Sequence, residues 1–400
     1  MPSLSTPERH RQPGRRILLV SYYPPTRRHA GGLRLLDLYS LMRRLEPSLQ
    51  IDLVTCSDSM TDELTEADRS IFERVFLLPV KCFDVRGLID AGIVDNAYDI
   101  ADFQYWQSGR LIDGFRRRQP TRIIFSPMES NVRAFLTDLR MLGRATALRP
   151  LLEHAAIGTL ELYYSWKADA VQCVSRPDAA TIAACLPRTH VVTVETGLSA
   201  IEFPRLARRG PVQREPGAAR ELVFVAYFGS SNNVDALFWY LHNVHPDLCR
   251  GVPGYRFVVV GRGSETLGLR ADEHLEIRGE VESIEEHLLR ATVGIAPAFS
   301  GAGFRGKIVQ YAAAALPCVA SPLAVDGLAF VDRESVLIAK DAKSFIDDCT
   351  ALLTSGGFNT LIGEAARKVC MSEYLWENRV PTIARLYELS TALKQTGEFS

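Results

Sequence analysis

The stretch Gly301-Ala-Gly-Phe-Arg-Gly-Lys-Ile-Val-Gln-Tyr-Ala-Ala-Ala-Ala-Leu-Pro-Cys-Val-Ala-Ser321 determines how the rest of the chain is interpreted. The apolar run at 292–299 before it is typical of a buried parallel strand. After the glycine-rich turn, the alanine-rich residues 304–315 predict a helix that Pro317 cannot continue. Residues 318–320 predict the next strand, so the unit is strand, glycine turn, helix and strand.

The glycine turn offers backbone N–H groups at the start of a helix, where the helix dipole favours a bound anion. Arg305 and Lys307 lie in the first turn of that helix, and two cations there oppose the dipole. A phosphate-bearing ligand would explain them. Two solvated side chains are the alternative, and this stretch alone does not separate the two interpretations.

The composition indicates a soluble globular protein of two domains. Its 400 residues are 47% hydrophobic and 23% charged, which fits a sizeable core. The formal net charge of −1 argues against nucleic acid as the main partner. The 8 cysteines are scattered without a C-x-x-C pair, which predicts reduced thiols in a cytosolic protein. We expect no membrane-spanning segment and no signal peptide.

Strand and helix patterns alternate through both halves of the chain. This alternation predicts an α/β fold of two doubly wound, Rossmann-like domains that face each other across a cleft. We expect a disordered tail at 1–15, a first domain at 16–204, a linker at 205–220, a second domain at 221–373 and a final segment at 374–400. We expect the helix of the final segment to pack across the domains, with a plain surface helix of the second domain as the alternative.

The loops after the strands of the first half hold further candidate residues. The first loop lacks G-x-G-x-x-G, which argues against a classical dinucleotide domain. Gly31 and Gly32 in that loop would let the backbone approach a sugar or phosphate, although a simple turn has the same sequence. We interpret His29 as a solvated loop residue, with a role as a base as the alternative. Glu129 either faces the cleft or caps the helix that starts near Asn131.

Several motifs, taken in order, make the chain resemble the group 1 glycosyltransferases (glycosyltransferase family 4), which have the GT-B fold. The order and spacing of these motifs are specific over about 16–393, although each motif alone is weak. They are Val20-Ser-Tyr-Tyr-Pro-Pro25 with Gly31, Gly32 and Arg34, then 168–175, 195–198, 224–234, Val260-Gly-Arg-Gly263, 277–281, and 297–317 with Asp326-Gly-Leu328.

The resemblance implies a retaining transfer of a sugar from a UDP- or GDP-sugar to a glycan or lipid-linked acceptor. It implies no metal and no other cofactor, and a cytoplasmic setting in cell-surface polysaccharide or glycoconjugate synthesis. Arg305 and Lys307 would be catalytic, because they could neutralise the leaving diphosphate. The implied donor-binding residues are Gly301, Ala302, Gly303, Phe304, Gln310, Gly261, Arg262 and Asn233. The implied acceptor-binding residues are Gly31, Gly32, Arg34 and Glu129.

Three departures from the family pattern affect the expected catalysis. The two glutamates that the family spaces as E-x7-E are Ala302 and Gln310 here, and an amide accepts ribose hydroxyls more weakly than a carboxylate. The strand that ends at 102–105 has no histidine where many relatives carry one, and Ala226 replaces a usual glycine. One alternative is therefore a GT-B scaffold without turnover that binds a nucleotide sugar or a partner. Another is a different enzyme on this fold, such as a nucleotide-sugar epimerase.

Because acceptors in the family that the chain resembles are often lipid-linked, the resemblance implies a peripheral contact of the first domain with the inner face of a membrane, and the candidate segment is 114–122. Three arginines at 116–118 follow Phe115, and Arg140, Arg144 and Arg149 come later in the chain. Basic residues beside apolar ones attract anionic headgroups. A solvated charge run at a helix end is the alternative.

Overall fold

The computed structural model describes residues 14–27, 29–57, 64–141, 148–210, 212 and 220–389. Most of the predicted tail at 1–15, part of the predicted linker at 205–220, Arg144 and the end of the predicted final segment lie outside these residues. The described residues form two parallel sheets with flanking helices, which confirms the predicted fold class.

The first sheet has seven strands. The second and third strands lie on one side of the first strand, and the other four lie on its other side. The strands are β1 (Arg16–Ser21), β2 (Gln50–Cys56), β3 (Arg74–Leu78), β4 (Ile100–Gln104), β5 (Arg122–Ser126), β6 (Ala170–Cys173) and β7 (Val191–Thr193). Their order is β3-β2-β1-β4-β5-β6-β7, so β1 and β4 are neighbours at the switch point. Ile17 of β1 lies opposite Ile51 on one side and Ile100 on the other, in parallel register.

Helices connect these strands. They are α1 (Ala30–Leu45), α2 (Glu66–Arg69), α3 (Val85–Asp90), α4 (Ile112–Arg116), α5 (Asn131–Met141), α6 (Leu148–Lys167) and α7 (Arg176–Cys185), with 3-10 turns at Val80–Cys82 and Trp106–Leu111. His29 caps α1, because its Nδ1 accepts a hydrogen bond from the Gly32 N–H at 2.9 Å and its Nε2 lies 2.9 Å from the Pro24 carbonyl oxygen. The interpretation of His29 as a solvated residue was therefore wrong.

The second sheet repeats this design with six strands. They are β8 (Arg220–Val225), β9 (Tyr255–Val260), β10 (Leu275–Ile277), β11 (Val293–Ala296), β12 (Cys318–Ala320) and β13 (Leu337–Ile338), in the order β10-β9-β8-β11-β12-β13. The helices are α8 (Ser231–Asn243), α9 (His245–Gly251), α10 (Ile284–Arg290), α11 (Gly306–Ala313), α12 (Pro322–Val325), α13 (Ala342–Thr354), α14 (Gly356–Glu373) and α15 (Val380–Tyr387), with 3-10 turns at Ser264–Thr266 and Trp376–Arg379. The switch point of this sheet lies between β8 and β11.

The glycine-turn unit is present, but its elements are shorter than predicted. The strand ends at Ala296, and α11 begins at Gly306 because Gly303, at φ +84°, and Arg305, at ψ 64°, are not helical. Two long helices, α13 and α14, were not predicted. Gly356 and Gly357 open α14 and interrupt the apolar spacing that would otherwise predict a helix.

The described residues divide into two compact units. The first groups the residues up to Pro127 with Tyr163–Gln172 and the residues from Pro381 onward, and the second contains Met128–Leu162 and Cys173–Val380. Each unit has its own apolar core. The first core includes Leu18, Phe103 and Phe125, and the second unit has one core cluster on each face of its sheet.

A buried polar network joins the C-terminal helix to the sheet of the first unit. The Asp102 carboxylate accepts hydrogen bonds from Tyr39 Oη at 2.6 Å, Gln104 Nε2 at 2.8 Å and Tyr387 Oη at 2.5 Å. Tyr387 is the last residue of α15, and its hydroxyl also lies 3.0 Å from Gln172 Oε1. Burial raises the pKa of Asp102, so this carboxyl depends on its hydrogen-bond donors.

We predict that Tyr387→Phe lowers the free energy of unfolding by about 1–3 kcal/mol, because it leaves a buried carboxyl short of a donor. Urea denaturation measures the change. Tyr163→Phe is the matched control, since the Tyr163 hydroxyl also donates to a carboxylate, Asp113 at 2.5 Å, but at the surface. An equal loss in both variants would contradict the anchoring role of Tyr387.

Candidate functional site

A recess lies at the carboxyl ends of β8 and β11 in the second unit. These two strands are neighbours at the switch point of the sheet, which is where ligands bind in open α/β sheets. Polar side chains and small apolar residues share its lining, which comprises Asn232, Asn233, Ala236, Ala296, Pro297, Ala298, Ser300, Arg305, Lys307 and Ala324. The helices α8 and α11 both begin here, so their positive dipole ends favour a bound anion.

The glycine turn passes close to the start of α8. Gly301 and Gly303 have φ values of +85° and +84°, a region that L side chains rarely adopt. A Cβ at Gly301 would lie 2.6 Å from Asn232 Nδ2. Ser300 Oγ donates a hydrogen bond to Asn232 Oδ1 at 2.8 Å, which ties the turn to the helix. The backbone conformation at 301 therefore favours glycine, and a side chain there would also require Asn232 to move.

The two cations of the turn are held at fixed positions in the recess. Arg305 Nη2 donates to the Ser300 carbonyl oxygen at 3.2 Å. Lys307 Nζ donates to Asn233 Oδ1 at 3.2 Å and lies 4.4 Å from the centroid of the Phe224 ring. Both side chains are half-buried, so the alternative of two fully solvated cations is not what the structure shows.

The surroundings of Arg305 and Lys307 lower the pKa of both side chains. Burial lowers the pKa of Arg305, although an arginine remains charged at any ordinary pH. Burial, together with the nearby charge of Arg305, lowers the pKa of Lys307 to about 7. Lys307 therefore stands at the middle of its titration near neutral pH, and an anion beside it would return it to the charged form.

Acidic side chains that the sequence analysis did not identify surround the turn. Asp178 Oδ2 accepts a hydrogen bond from the Gly303 N–H at 3.1 Å. This N–H of the glycine turn is therefore already bonded to a carboxylate. Arg133 lies between two carboxylates, with Asp178 Oδ1 at 3.4 Å and Asp326 Oδ2 at 2.5 Å. The pattern Ser175-Arg-Pro-Asp178 could have indicated the start of α7, but no local signal indicates a contact 125 residues away.

Glu129 lies beside the same turn. A Cβ at Gly303 would be 3.2 Å from the Glu129 Cβ, and the Glu129 side chain is exposed. The predicted alternative was a cap for the following helix. Ser130 makes that contact instead, because its Oγ accepts from the Arg133 N–H at 3.2 Å.

The loop after β9 holds Gly261 and Arg262, two of the predicted donor-binding residues. Gly261 has φ +133°, and a Cβ there would lie 1.8 Å from the Ala226 carbonyl oxygen, so only glycine fits. The Arg262 guanidinium lies 5.0 Å from the centroid of the Tyr227 ring, which is 53% exposed. Asn233 Nδ2 donates to the Tyr227 carbonyl oxygen at 2.8 Å. These contacts join Arg262 to the Tyr227 ring and the Tyr227 backbone to Asn233, which lines the recess.

The remaining donor candidates have different surroundings. Phe304 is half-buried and packs on the core, with its ring centroid 6.0 Å from that of Tyr374. Ala302 is buried, and Gln310 is half-buried on α11. The positions of the two family glutamates thus carry a buried methyl group and an amide.

The first-unit candidates lie in the first turns of α1, at the switch point beside β4. A Cβ at Gly31 would lie 2.4 Å from the Tyr105 hydroxyl, and one at Gly32 would lie 2.5 Å from the Thr26 carbonyl oxygen. Arg34 is 2% exposed, and its charge lowers the pKa of Asp102 against the effect of burial. Packing alone therefore accounts for both glycines, and Arg34 faces the buried polar network.

In the part of the chain that the structure describes, no group of three or more His, Cys, Asp and Glu side chains is arranged to hold a metal ion. Within the same residues, no helix is both long and apolar enough to cross a membrane.

The parallel sheet with a cationic recess at its switch point defines an α/β domain that suits a phosphorylated ligand. Residues 219–355, which include this recess, match the family model of the group 1 glycosyl transferases. The predicted resemblance is therefore confirmed over these residues, and it supports the prediction that the protein is a glycosyltransferase. No curated protein matches the chain by sequence.

Solved structures support the GT-B fold over nearly the whole chain. The sucrose-phosphate synthase of Thermosynechococcus elongatus is 14% identical with a TM-score of 0.68, and the match covers 94% of this chain and 98% of that one. HepE of Anabaena, in complex with UDP and glucose, is 12% identical with a TM-score of 0.67 over 93% and 99% of the two chains. A glycosyltransferase of Rickettsia africae ESF-5 is 14% identical with a TM-score of 0.64 over 94% and 98%.

We predict that the affinity of the recess for UDP falls as the pH rises from about 7 to 9, with proton uptake on binding. Free Lys307, with a pKa of about 7, loses its charge over this range, whereas a bound diphosphate raises the pKa. Calorimetry in buffers of different ionisation enthalpy measures both effects. Lys307→Met is the control, because it retains the titration of UDP itself. The same pH profile in both proteins would show that Lys307 does not face the anion.

Proposed function

We propose that this protein transfers a sugar from a UDP- or GDP-sugar to a glycan or lipid-linked acceptor, with retention of configuration and without a metal ion. The observation that carries the proposal is the pair Arg305 and Lys307, held in a recess at the switch point of the sheet that matches group 1 glycosyl transferases. A cytoplasmic role in cell-surface polysaccharide or glycoconjugate synthesis belongs to the same proposal.

The two cations have a defined task in this proposal. When the sugar leaves, negative charge concentrates on the nucleoside diphosphate, and preorganised positive groups stabilise that charge in the transition state. Arg305 and Lys307 are already oriented by Ser300 and Asn233, so little reorganisation is needed during the reaction. We assign both residues a catalytic role for this reason, and the proposed chemistry needs no metal ion.

The donor would extend from the cations toward the ends of β8 and β9. The diphosphate would lie at the starts of α8 and α11, with Gly301 and Asn233 beside it. Gly261 and Arg262 follow β9 and would flank the nucleoside, and Gln310 would accept from the ribose hydroxyls. HepE of Anabaena was crystallised with UDP and glucose, which makes UDP the first ligand to test here.

We assign the acceptor to the first unit, near Gly31 and Gly32. Arg34 would act indirectly by orienting Asp102, because it is buried. Glu129 is proposed to bind a sugar hydroxyl at the donor turn, where Ala302 replaces the first family glutamate. Its position beside Gly303 supports this assignment.

A second candidate function is a GT-B scaffold that binds a nucleotide sugar without turnover. Ala302 and Gln310 favour it, and so does the Gly303 N–H, which a carboxylate already occupies. Both candidates require donor binding, but only the first requires that the donor be consumed. Hydrolysis of UDP- and GDP-sugars without an acceptor distinguishes them, because a scaffold returns every donor intact.

We predict that UDP binds in the presence of EDTA. We also predict that Arg305→Ala weakens the binding free energy of UDP by about 1.5–3 kcal/mol and leaves that of uridine unchanged. A charge-assisted hydrogen bond to a phosphate is lost, and the nucleoside contacts remain. Calorimetry with UDP, GDP and uridine measures this difference. Arg250→Gln on α9 is the control for an exposed arginine. Binding that disappears with EDTA would overturn the metal-free proposal.

We predict that Gln310→Glu is tolerated and tightens donor binding. The two side chains are nearly the same size, and a carboxylate accepts ribose hydroxyls more strongly than an amide. Comparison of UDP with UMP and with 2′-deoxy-UDP measures the ribose contribution directly. A fall in melting temperature without any ligand effect would instead make Gln310 a structural amide.

A further inference from the structure

Exposed apolar side chains are concentrated on two consecutive helices. Among the described residues, twelve large hydrophobic side chains are exposed, and seven of them belong to α5 and α6. These seven are Leu136, Leu139, Leu148, Leu152, Leu160, Tyr163 and Trp166. Exposed apolar side chains that are concentrated in this way usually mark a site of interaction.

On α6 these residues form a stripe along the whole helix. At about 100° per residue, positions 148, 152, 156, 159, 163 and 166 fall within about 80° of the helix circumference, over about 30 Å of length. All six are exposed, with Leu148 at 65%, Leu152 at 61% and Trp166 at 63%. The opposite side of α6 is buried at 151, 158, 161 and 165. The stripe, which we call the α6 face, is thus the outer side of an otherwise packed helix.

Cations gather at the C-terminal end of the α6 face. Lys167 Nζ lies 4.7 Å from the Trp166 ring centroid and 5.4 Å from that of Tyr163. Arg116 Nη2 donates to the Lys167 carbonyl oxygen at 2.9 Å, so the basic run at 116–118 lies next to the aromatic pair. Arg117 and Arg118 are exposed there.

We propose that the α6 face lies in the plane of an anionic lipid bilayer. Leu148 and Leu152 would enter the boundary between headgroups and acyl chains, as the apolar side of an interfacial helix does. Trp166 would stay at headgroup level, where amphipathic aromatic rings are favoured. Arg117 and Arg118 would contact lipid phosphates, whereas Lys167 and Arg116 are paired with Asp113 at 3.5 Å and Asp169 at 2.9 Å. The basic run that the sequence analysis identified is then only the edge of a larger apolar surface.

The charges favour a bilayer over a second copy of the chain as the occupant. A two-fold dimer places the same face against itself. In a parallel arrangement, Lys167 and Arg117 would meet their own copies. In an antiparallel one, they would approach the other end of the face, where Arg149 is already paired with Glu153 at 2.8 Å, so that this pair offers no excess negative charge. An anionic bilayer meets these cations with the opposite charge and covers the apolar stripe at the same time.

Co-sedimentation of the full-length protein with vesicles tests the proposal. Vesicles of phosphatidylcholine are compared with an equimolar mixture of phosphatidylcholine and phosphatidylglycerol, at low and high salt. We expect binding to the anionic vesicles that weakens with salt. The double variant Leu148→Ser and Leu152→Ser should reduce the affinity for anionic vesicles about tenfold. The double variant Arg117→Gln and Arg118→Gln should reduce that affinity about fivefold for each arginine removed.

Matched controls come from the same chain. Leu361→Ser removes a leucine that is 62% exposed on α14, and Arg208→Gln with Arg209→Gln removes two consecutive exposed arginines. Neither control should change binding. Of the four tryptophans, Trp166 is the one that is exposed. The tryptophan fluorescence of the protein should therefore shift to shorter wavelength on anionic vesicles. This shift should be absent in Trp166→Phe.

Three results would overturn the proposal. One is no binding to anionic vesicles at low salt. Another is equal loss in the Leu148/Leu152 variant and in Leu361→Ser. The third is a dimer by light scattering that the Leu148/Leu152 variant dissociates, which would make a second copy the occupant. Circular dichroism verifies that each variant is folded, and the Trp166 emission tests the wild-type surface without any change in the leucines.

Discussion

Two cations share one half-buried recess in the second unit, and their repulsion sets the conditions that the surrounding residues must meet. Arg305 and Lys307 leave water in part, so each needs a polar or π partner. Ser300 and Asn233 supply carbonyl oxygens, and Phe224 supplies the face of its ring. The low pKa of Lys307 shows that these partners do not fully replace water. The recess is therefore electrostatically incomplete, and a diphosphate would complete it.

The acidic residues around the turn serve a different purpose from the cations. Asp178 holds the Gly303 N–H and lies 3.4 Å from Arg133, so the shape of the turn is maintained by a hydrogen bond from outside the glycine-turn unit. Such a contact fixes a flexible glycine loop without filling the recess. It also has a cost for anion binding, because a carboxylate stands where a phosphate would otherwise find an N–H. Preorganisation and charge thus oppose each other at this turn, and the outcome depends on how strongly Arg305 and Lys307 attract the diphosphate.

The fold could be predicted from the sequence because parallel strands buried on both faces appear as uninterrupted apolar runs between helical patterns. The glycine turn, Arg305 and Lys307 could be located for the same reason, since they follow such a run directly. What could not be predicted has a common physical cause. Asp178 contacts Gly303 across 125 residues, and Tyr387 contacts Asp102 across 285, so no local pattern reports either pair. The helix α14 was missed because its first residues are glycines, whose low helix propensity is overcome by packing.

The two sheets share a topology but differ in what their switch points present. At β8 and β11 the recess contains two poorly compensated cations, which suits a charged ligand. At β1 and β4 aromatic side chains predominate: Tyr23 lies 5.0 Å from both Tyr22 and Tyr105, and His29 is engaged in capping α1. Asp102 is buried on β4, where it accepts hydrogen bonds from Tyr39, Gln104 and Tyr387. Such a surface suits an uncharged ligand that stacks on rings and hydrogen-bonds to hydroxyl groups. The proposed transfer would use this difference in charge, because an anionic donor is held through its leaving group, whereas an uncharged sugar acceptor is held through its shape.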